Sequence, residues 1–263
     1  MIETVAEVLR RTAADVVLPR YRALAAHEIE EKSPGDLVTI ADREAEARIA
    51  QGVAGLVPGA RFVGEEACAR DASLLDGIGE GTVWIVDPID GTGNFAAGRS
   101  PFALMVALLR EGEIAASWIH DPLSGQMVVA ERGGGAWLDG ERLATNQDSP
   151  GLARLRGVVS RFALPETMTA GVASIEAAIG EVADNRRCAG AEYPRIATGE
   201  RDFALFWRTI VWDHAPGVLI LTEAGGVARR LDNTPYRPAE PGTGLVLARN
   251  PAIADEITAL LGR

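Results

Sequence analysis

Residues 84–92 read Trp84-Ile85-Val86-Asp87-Pro88-Ile89-Asp90-Gly91-Thr92, an apolar run that breaks into two acids. The run from Val83 to Val86 predicts a short buried strand ending at Asp87-Pro88. Pro88 stiffens the exit, and Gly91 permits a close backbone approach. Thr92 is predicted to open a helix whose N-terminal amides face an anion. Two carboxylates on a stiff turn, with the Ile89 carbonyl between them, offer the oxygen donors that Mg²⁺ and similar hard cations take. On its own, an Asp-x-x-Asp turn reads equally well as a hydrogen-bonded turn carrying two solvated acids.

Working outward, Ile2, Val5, Leu9, Val16 and Val17 predict a helix over 2–26, bent at Pro19. A second helix is predicted over 39–56, with Ile49, Val53 and Leu56 facing inward. Residues 102–145 alternate strand-like runs with turn signals, as an antiparallel meander does. Beyond it, strands are predicted at 156–160, 203–207 and 245–248. Helices are predicted at 166–179, 189–198, 212–223 and 252–261, with Gly225-Gly226 closing the third of these. The sum is an α+β protein with a soft internal division near 145–151.

The 263 residues suffice for one large domain or two fused halves. The longest apolar run, Phe102 to Leu109, is far short of the roughly 20 residues that span a bilayer. With Cys68 and Cys188 the only cysteines and no export signal, the expected compartment is the reducing cytoplasm. A formal net charge of −11 opposes binding to nucleic acid or anionic lipid. A phosphorylated ligand must therefore be drawn in locally, by a metal ion or a helix N-terminus. No Ser–His pair suggests a covalent nucleophile. His214 follows Asp213, but successive helical residues point about 100° apart, so it is expected to face elsewhere.

Further motifs recur along the chain: Gly64-Glu65-Glu66, Trp212-Asp213, and Glu223-Ala224-Gly225-Gly226. Lys32-Ser33-Pro34, Asp36-Leu37-Val38-Thr39, Asp42, residues 132–140 and Ser160-Arg161 join them. Together with residues 84–95, and in this order, they resemble the signatures of the inositol monophosphatase family. The resemblance implies a layered αβαβα sandwich of the inositol monophosphatase and fructose-1,6-bisphosphatase type, spanning 1–263 as one phosphatase domain. It divides that domain into a metal- and water-binding half, 1–148, and a half, 149–263, that supplies Asp213 and the substrate pocket. It implies a Mg²⁺-dependent phosphomonoesterase acting on a small phosphorylated metabolite, commonly as a homodimer. Glu65, Asp87 and the Ile89 carbonyl would hold one Mg²⁺. Asp87 would bridge to a second ion held also by Asp90 and Asp213, and a third would lean on Glu65. Asp42 and Thr92 would orient or deprotonate the attacking water, and the amides of Gly91 and Thr92 would bind phosphate. Lys32 would add positive charge nearby. Such a site supports in-line attack by a metal-activated water, with two ions about 3.5–4 Å apart.

The substrate end departs from the inositol pattern. Where the inositol enzymes carry an acid, seven residues before Asp213, stands Phe206. The small-residue turn lining the pocket becomes Arg187-Cys188-Ala189-Gly190. An apolar ring cannot accept a hydroxyl proton. Arg187, Arg195 and Arg208 are expected near the leaving group instead, where they would grip a second anion. Sugar bisphosphate, 3'-phosphorylated nucleotide, histidinol phosphate and inositol 1-phosphate all stay open as substrates. So does a regulatory protein that keeps the fold without turnover.

Overall fold

The computed structural model describes residues 1–33, 35–240 and 242–262. Pro34, part of one family motif, lies outside them. The chain opens with α1 (Ile2–Thr12), a hairpin of β1 (Ile29–Ser33) and β2 (Asp36–Thr39), and α2 (Ile40–Val53). Next come β3 (Arg61–Gly64), α3 (Glu65–Arg70), β4 (Thr82–Asp90), α4 (Thr92–Ala96) and a meander. The meander is β5 (Ala103–Arg110), β6 (Glu113–His120), β7 (Met127–Glu131), β8 (Gly135–Leu138) and β9 (Glu141–Arg142). The remainder is β10 (Arg156–Val159), α5 (Thr169–Ala178), β11 (Glu181–Asp184), α6 (Ala189–Ala197), β12 (Phe203–Phe206), α7 (Val211–Glu223), β13 (Val227–Arg229), β14 (Leu245–Ala248) and α8 (Pro251–Leu260).

Strands β3 to β9 form one sheet in sequence order, and a second has the order β11-β10-β12-β14-β13. Strand alternation decides which helices cover which face. Trp84 and Val86 of β4, with Leu104 and Val106 of β5, pack on α1 and α2 through Leu9, Ala45 and Ile49. Ile85, Met105 and Ala107 face the other way, onto Tyr193, Ala215 and Leu219 of α6 and α7. Those two helices also meet Ala204 and Leu247 of the second sheet. Phe203 and Leu205, on the far face of that sheet, pack on Ile175 of α5 and Ile257 of α8. The result is the layered αβαβα sandwich, with α6 and α7 buried between two sheets.

Several boundaries move from the sequence expectation. The first helix does not reach residue 26. Regular α geometry ends at Thr12, a π turn covers Ala13–Val17, and a 3₁₀ turn covers Leu18–Arg20. Pro19 lacks the N–H that would continue the helix, and Tyr21 is extended. Strand β4 does not stop at Asp87 but runs through Pro88 to Asp90, its pairing with β5 shifting between Asp87 and Asp90. The shift is a bulge that absorbs the missing N–H of proline. It also breaks the alternation, under which residues three apart face opposite sides. Ile89 enters the α1/α2 core, and Asp87 and Asp90 both open onto one cavity. No expectation anticipated the strands of the 29–39 hairpin, β11 or β13.

Candidate active site

A cavity of about 350 Å³ lies where the C-terminal ends of β4, β10 and β12 converge. β10 and β12 are parallel neighbours, and the carboxyl ends of such strands are where open α/β sheets place ligands. Glu65, Asp87, Asp90 and Asp213 line it, with the Ile89 backbone and the Gly91–Thr92 turn. Gly91 has φ +87°, and a Cβ there would stand 2.9 Å from the Pro101 carbonyl oxygen, so the turn admits no side chain.

Asp87 is 2% exposed and Asp90 8%. Backbone donors hold both. Ile89 N–H donates to Asp87 Oδ1 at 3.0 Å, and Gly190 N–H donates to Asp90 Oδ2 at 2.6 Å. Burial, then the charges of Glu65, Asp90 and Asp213, push the Asp87 carboxyl well above the usual carboxylate range. Burial raises Asp90 to about 6 against the opposing Gly190 amide. Asp213 is raised by burial and by Asp90 and Glu65, with Arg208 opposing.

Lys32, on β1, donates from Nζ to Glu65 Oε1 at 2.7 Å and to Glu66 Oε1 at 2.9 Å. Burial opposes its charge, but the two glutamates override it and keep it protonated. Glu66, whose part the motif alone did not disclose, is 3% exposed, and its amide donates to the buried carboxylate of Glu46 at 2.7 Å. Glu46 is invisible as a site neighbour in the sequence, because its partner lies 20 residues away.

Asp42 and Thr92 meet across 50 residues of chain. Asp42 is fully buried at the third position of α2. Its Oδ2 accepts from Thr39 N–H at 2.8 Å and Thr39 Oγ1 at 2.6 Å, closing the cap of that helix. Its Oδ1 stands 3.0 Å from Thr92 Oγ1, which is also 3.0 Å from the Ile89 carbonyl. Burial lifts Asp42 to about 7, against its hydrogen bonds with Thr39.

The three arginines separate. Arg187 and Arg208 line the cavity, as do Ala189 and Phe206. Arg195 does not join them. It binds Glu192 at 2.7 Å and Glu200 at 2.7 Å, because on α6 it falls one turn after Glu192. Phe162, which sequence reasoning passed over, lines the mouth beneath Arg187 and Arg208. Its only sequence signal is its place just past the end of β10. His214 borders the cavity, but its ring nitrogens are engaged away from the acids: Nδ1 is 2.8 Å from Tyr193 Oη, and Nε2 is 3.0 Å from the Arg208 carbonyl. Burial pushes it down to about 4. A neutral ring facing a carbonyl must carry its proton on Nε2, so Nδ1 accepts from Tyr193. Cys68 and Cys188 are buried free thiols, both raised in pKa first by burial.

Among the described residues, no three His, Cys, Asp or Glu side chains are gathered closely enough to hold a metal ion as they stand. Their oxygens are engaged by Lys32, Ile89 and Gly190. The donor chemistry nevertheless fits a hard divalent cation: oxygens only, buried, with mutual repulsion expressed in their raised pKa values.

Buried acids, a threonine turn and a cavity lined by carboxylates thus lie together on this sandwich. The sequence profile of the inositol monophosphatase family matches residues 1–262. The inositol-1-monophosphatase of Rhizobium meliloti is 32% identical over 90% of this chain and 86% of its own length. Nus factor SuhB of Escherichia coli is 30% identical over 82% of this chain and 80% of its own. The crystal structure of the extragenic suppressor protein SuhB from Bartonella henselae superposes with a TM-score of 0.84 at 24% identity, covering 99% of this chain and 98% of that one. The chain belongs to the inositol monophosphatase family, whose members in this class are phosphoric monoester hydrolases. Among the described residues no helix is long and apolar enough to cross a membrane.

Proposed function

We propose that this chain hydrolyses the phosphomonoester of a small, doubly anionic metabolite, with Mg²⁺ as cofactor. The observation that carries the reading is the contact between Asp42 and Thr92 beside the buried acids. Glu65, Asp87, the Ile89 carbonyl, Asp90 and Asp213 would hold two Mg²⁺ ions, with a third leaning on Glu65. When bound, such ions neutralise phosphoryl charge and lower the pKa of the attacking water. Thr92 Oγ1 orients that water, and Asp42 Oδ1 takes its proton through the threonine hydroxyl. A carboxyl raised to about 7 is suited to that task near neutral pH. The amides of Gly91 and Thr92 hold phosphoryl oxygens. Lys32 keeps Glu65 in place and adds charge at the rim.

The leaving group lies toward Phe206 and Arg208. Phe206 is buried, with its ring 5.0 Å from that of His214, and offers a polyol no acceptor. Arg208 favours an anion on the leaving group. A substrate with a second anionic group is therefore hydrolysed better than inositol 1-phosphate. Ala189, at the start of α6, closes that side of the pocket. Family likeness carries the rest of the reading: one domain over 1–263 with a soft division near 145–151, a homodimer, and a cytoplasmic location.

The test is phosphate release from 4-nitrophenyl phosphate with Mg²⁺ and with chelator. Release that needs Mg²⁺ supports the reading, and release unaffected by chelator refutes it. A regulatory reading is kept because one relative is named a Nus factor. Retention of Glu65, Asp87, Asp90, Asp213 and Thr92 argues for turnover, and absence of release from any phosphomonoester would favour the regulatory role.

A further inference from the structure

Phe162 follows β10 and is 39% exposed, an unusual position for a phenyl ring. Two guanidinium groups lie over it. The Arg187 guanidinium carbon is 4.1 Å from the ring centroid and that of Arg208 is 5.0 Å. The neighbouring arginines are committed elsewhere, Arg186 to Glu192 and Arg195 to Glu192 and Glu200. Among the described residues, Arg187 and Arg208 have no carboxylate within ion-pair distance, although the chain carries 37 acidic residues against 26 basic ones. Acids are plentiful on this molecule, and among the described residues none forms an ion pair with these two, although the charge of Arg208 reaches Asp213.

Their backbones are fixed from below. Arg187 has φ +58°, in the left-handed region that a side chain disfavours. The conformation is held by Asn94, whose Nδ2 donates at 2.8 Å to both the Arg186 and the Pro101 carbonyls. The Arg208 carbonyl accepts from His214, which Tyr193 backs in turn. Tyr193 fits there because residue 217 is glycine, where a Cβ would come within 2.1 Å of the ring. Both arms thus spring from constrained backbone and rest on one ring, at the mouth of one cavity.

An arginine fork takes two oxygens in its plane. A carboxylate satisfies one fork, whereas a phosphate has oxygens for two. The guanidinium groups occupy the ring, so it is not a free stacking platform for a nucleobase. We propose that Phe162, Arg187 and Arg208 form a single subsite for the second phosphate of a bisphosphorylated small metabolite. This rests on the phosphatase reading of the cavity. Phe162 is a positioning residue in it, aligning two forks that would otherwise be independent.

The test compares four Mg²⁺-supported substrates: a hexose 1,6-bisphosphate, the hexose 6-phosphate, 3-phosphoglycerate and 4-nitrophenyl phosphate. The bisphosphate is expected to exceed the hexose monophosphate in kcat/KM by about 10- to 100-fold, and to exceed 3-phosphoglycerate as well. Arg187→Ala and Arg208→Ala each erode that preference, through KM more than kcat. The double variant loses little beyond the worse single one, since groups that act as a unit are non-additive. Phe162→Leu, at an exposed position, reduces the preference with an unchanged melting temperature. Equal hydrolysis of bisphosphate and monophosphate would overturn the subsite. So would 3-phosphoglycerate matching the bisphosphate, losses that multiply in the double variant, or a Phe162→Leu enzyme with its preference intact. If 4-nitrophenyl phosphate is still cleaved in those cases, the phosphatase reading survives. If none of the four is cleaved, that reading fails and takes the subsite with it.

Discussion

At the floor of the cavity, Asp87 and Asp90 sit on the end of an interior strand, and backbone amides hold their oxygens. At the mouth, Arg187 and Arg208 rest on the side chain of Phe162. The floor is buried and its groups repel one another, so its geometry comes from main chain and close packing. The mouth is exposed, and its geometry comes from side chains leaning on side chains. On the proposed phosphatase reading, the difference separates two tasks. Chemistry common to many phosphomonoesters needs a rigid floor, and choice among leaving groups needs a mouth that can change without disturbing it.

The sharpest way to break this comparison is Asp87→Asn. If the floor carries the chemistry, phosphate release falls by about 10³-fold or more, several kcal/mol of barrier. The fold survives, because an amide removes repulsion rather than packing. Near-normal turnover would remove Asp87 from the floor. Next come Asp42→Asn and Thr92→Ala. Each is expected to lower kcat by about 10²-fold or more, and the double variant little further, since they share one hydrogen bond. Losses that multiply in stopped-assay kinetics would separate the two residues.

With divalent ions chelated, stability should depend on pH through Asp90. Asp90 titrates at about 6 when folded, against an ordinary 3.8. The folded state therefore holds a proton that the unfolded chain releases, and Asp90 weakens the fold as pH rises from 4 to 6. Asp90→Asn removes that penalty, so its advantage in melting temperature over the wild type should grow across this window and level off above it. The limit is about 3 kcal/mol. An advantage that is constant with pH would show that Asp90 ionises normally. The smallest effect belongs to the mouth. Arg208→Ala should reduce the preference for a doubly anionic substrate over a singly anionic one by about 10-fold. An unchanged ratio of kcat/KM values would place the anion elsewhere.

The floor was legible in the sequence because its residues sit in short motifs, where an apolar strand, a proline and a glycine constrain the backbone locally. Glu65, Asp87, Asp90 and Asp213 could be nominated together, and the structure brings them to one cavity. The layered sandwich followed from the same motifs. The mouth was less legible. Arg187 and Arg208 could be named together from the segments that depart from the inositol pattern, but Phe162 comes from a third segment, and nothing around it announces the other two. Arg195 lies close to Arg187 in the chain and is expected beside it, but one helical turn commits it to Glu192. The β1–β2 hairpin escaped notice because its strands are short and charged, Ile29-Glu30-Glu31-Lys32-Ser33 being stabilised by cross-strand pairing rather than by an apolar face.

The bulge in β4 gives this protein an unusual kind of fragility. Because Asp87 and Asp90 share a side only where the pairing slips, the spacing between them matters as much as their identity. A substitution at Ile89 alters what fills the α1/α2 core and leaves both acids where they are. Removing Pro88 or Ile89 would restore strict alternation, and two acids then two apart would still share a side, but they would be drawn closer by one residue and the bulge that sets their separation would be gone. Homologous chains should therefore drift in composition across this segment while keeping its length.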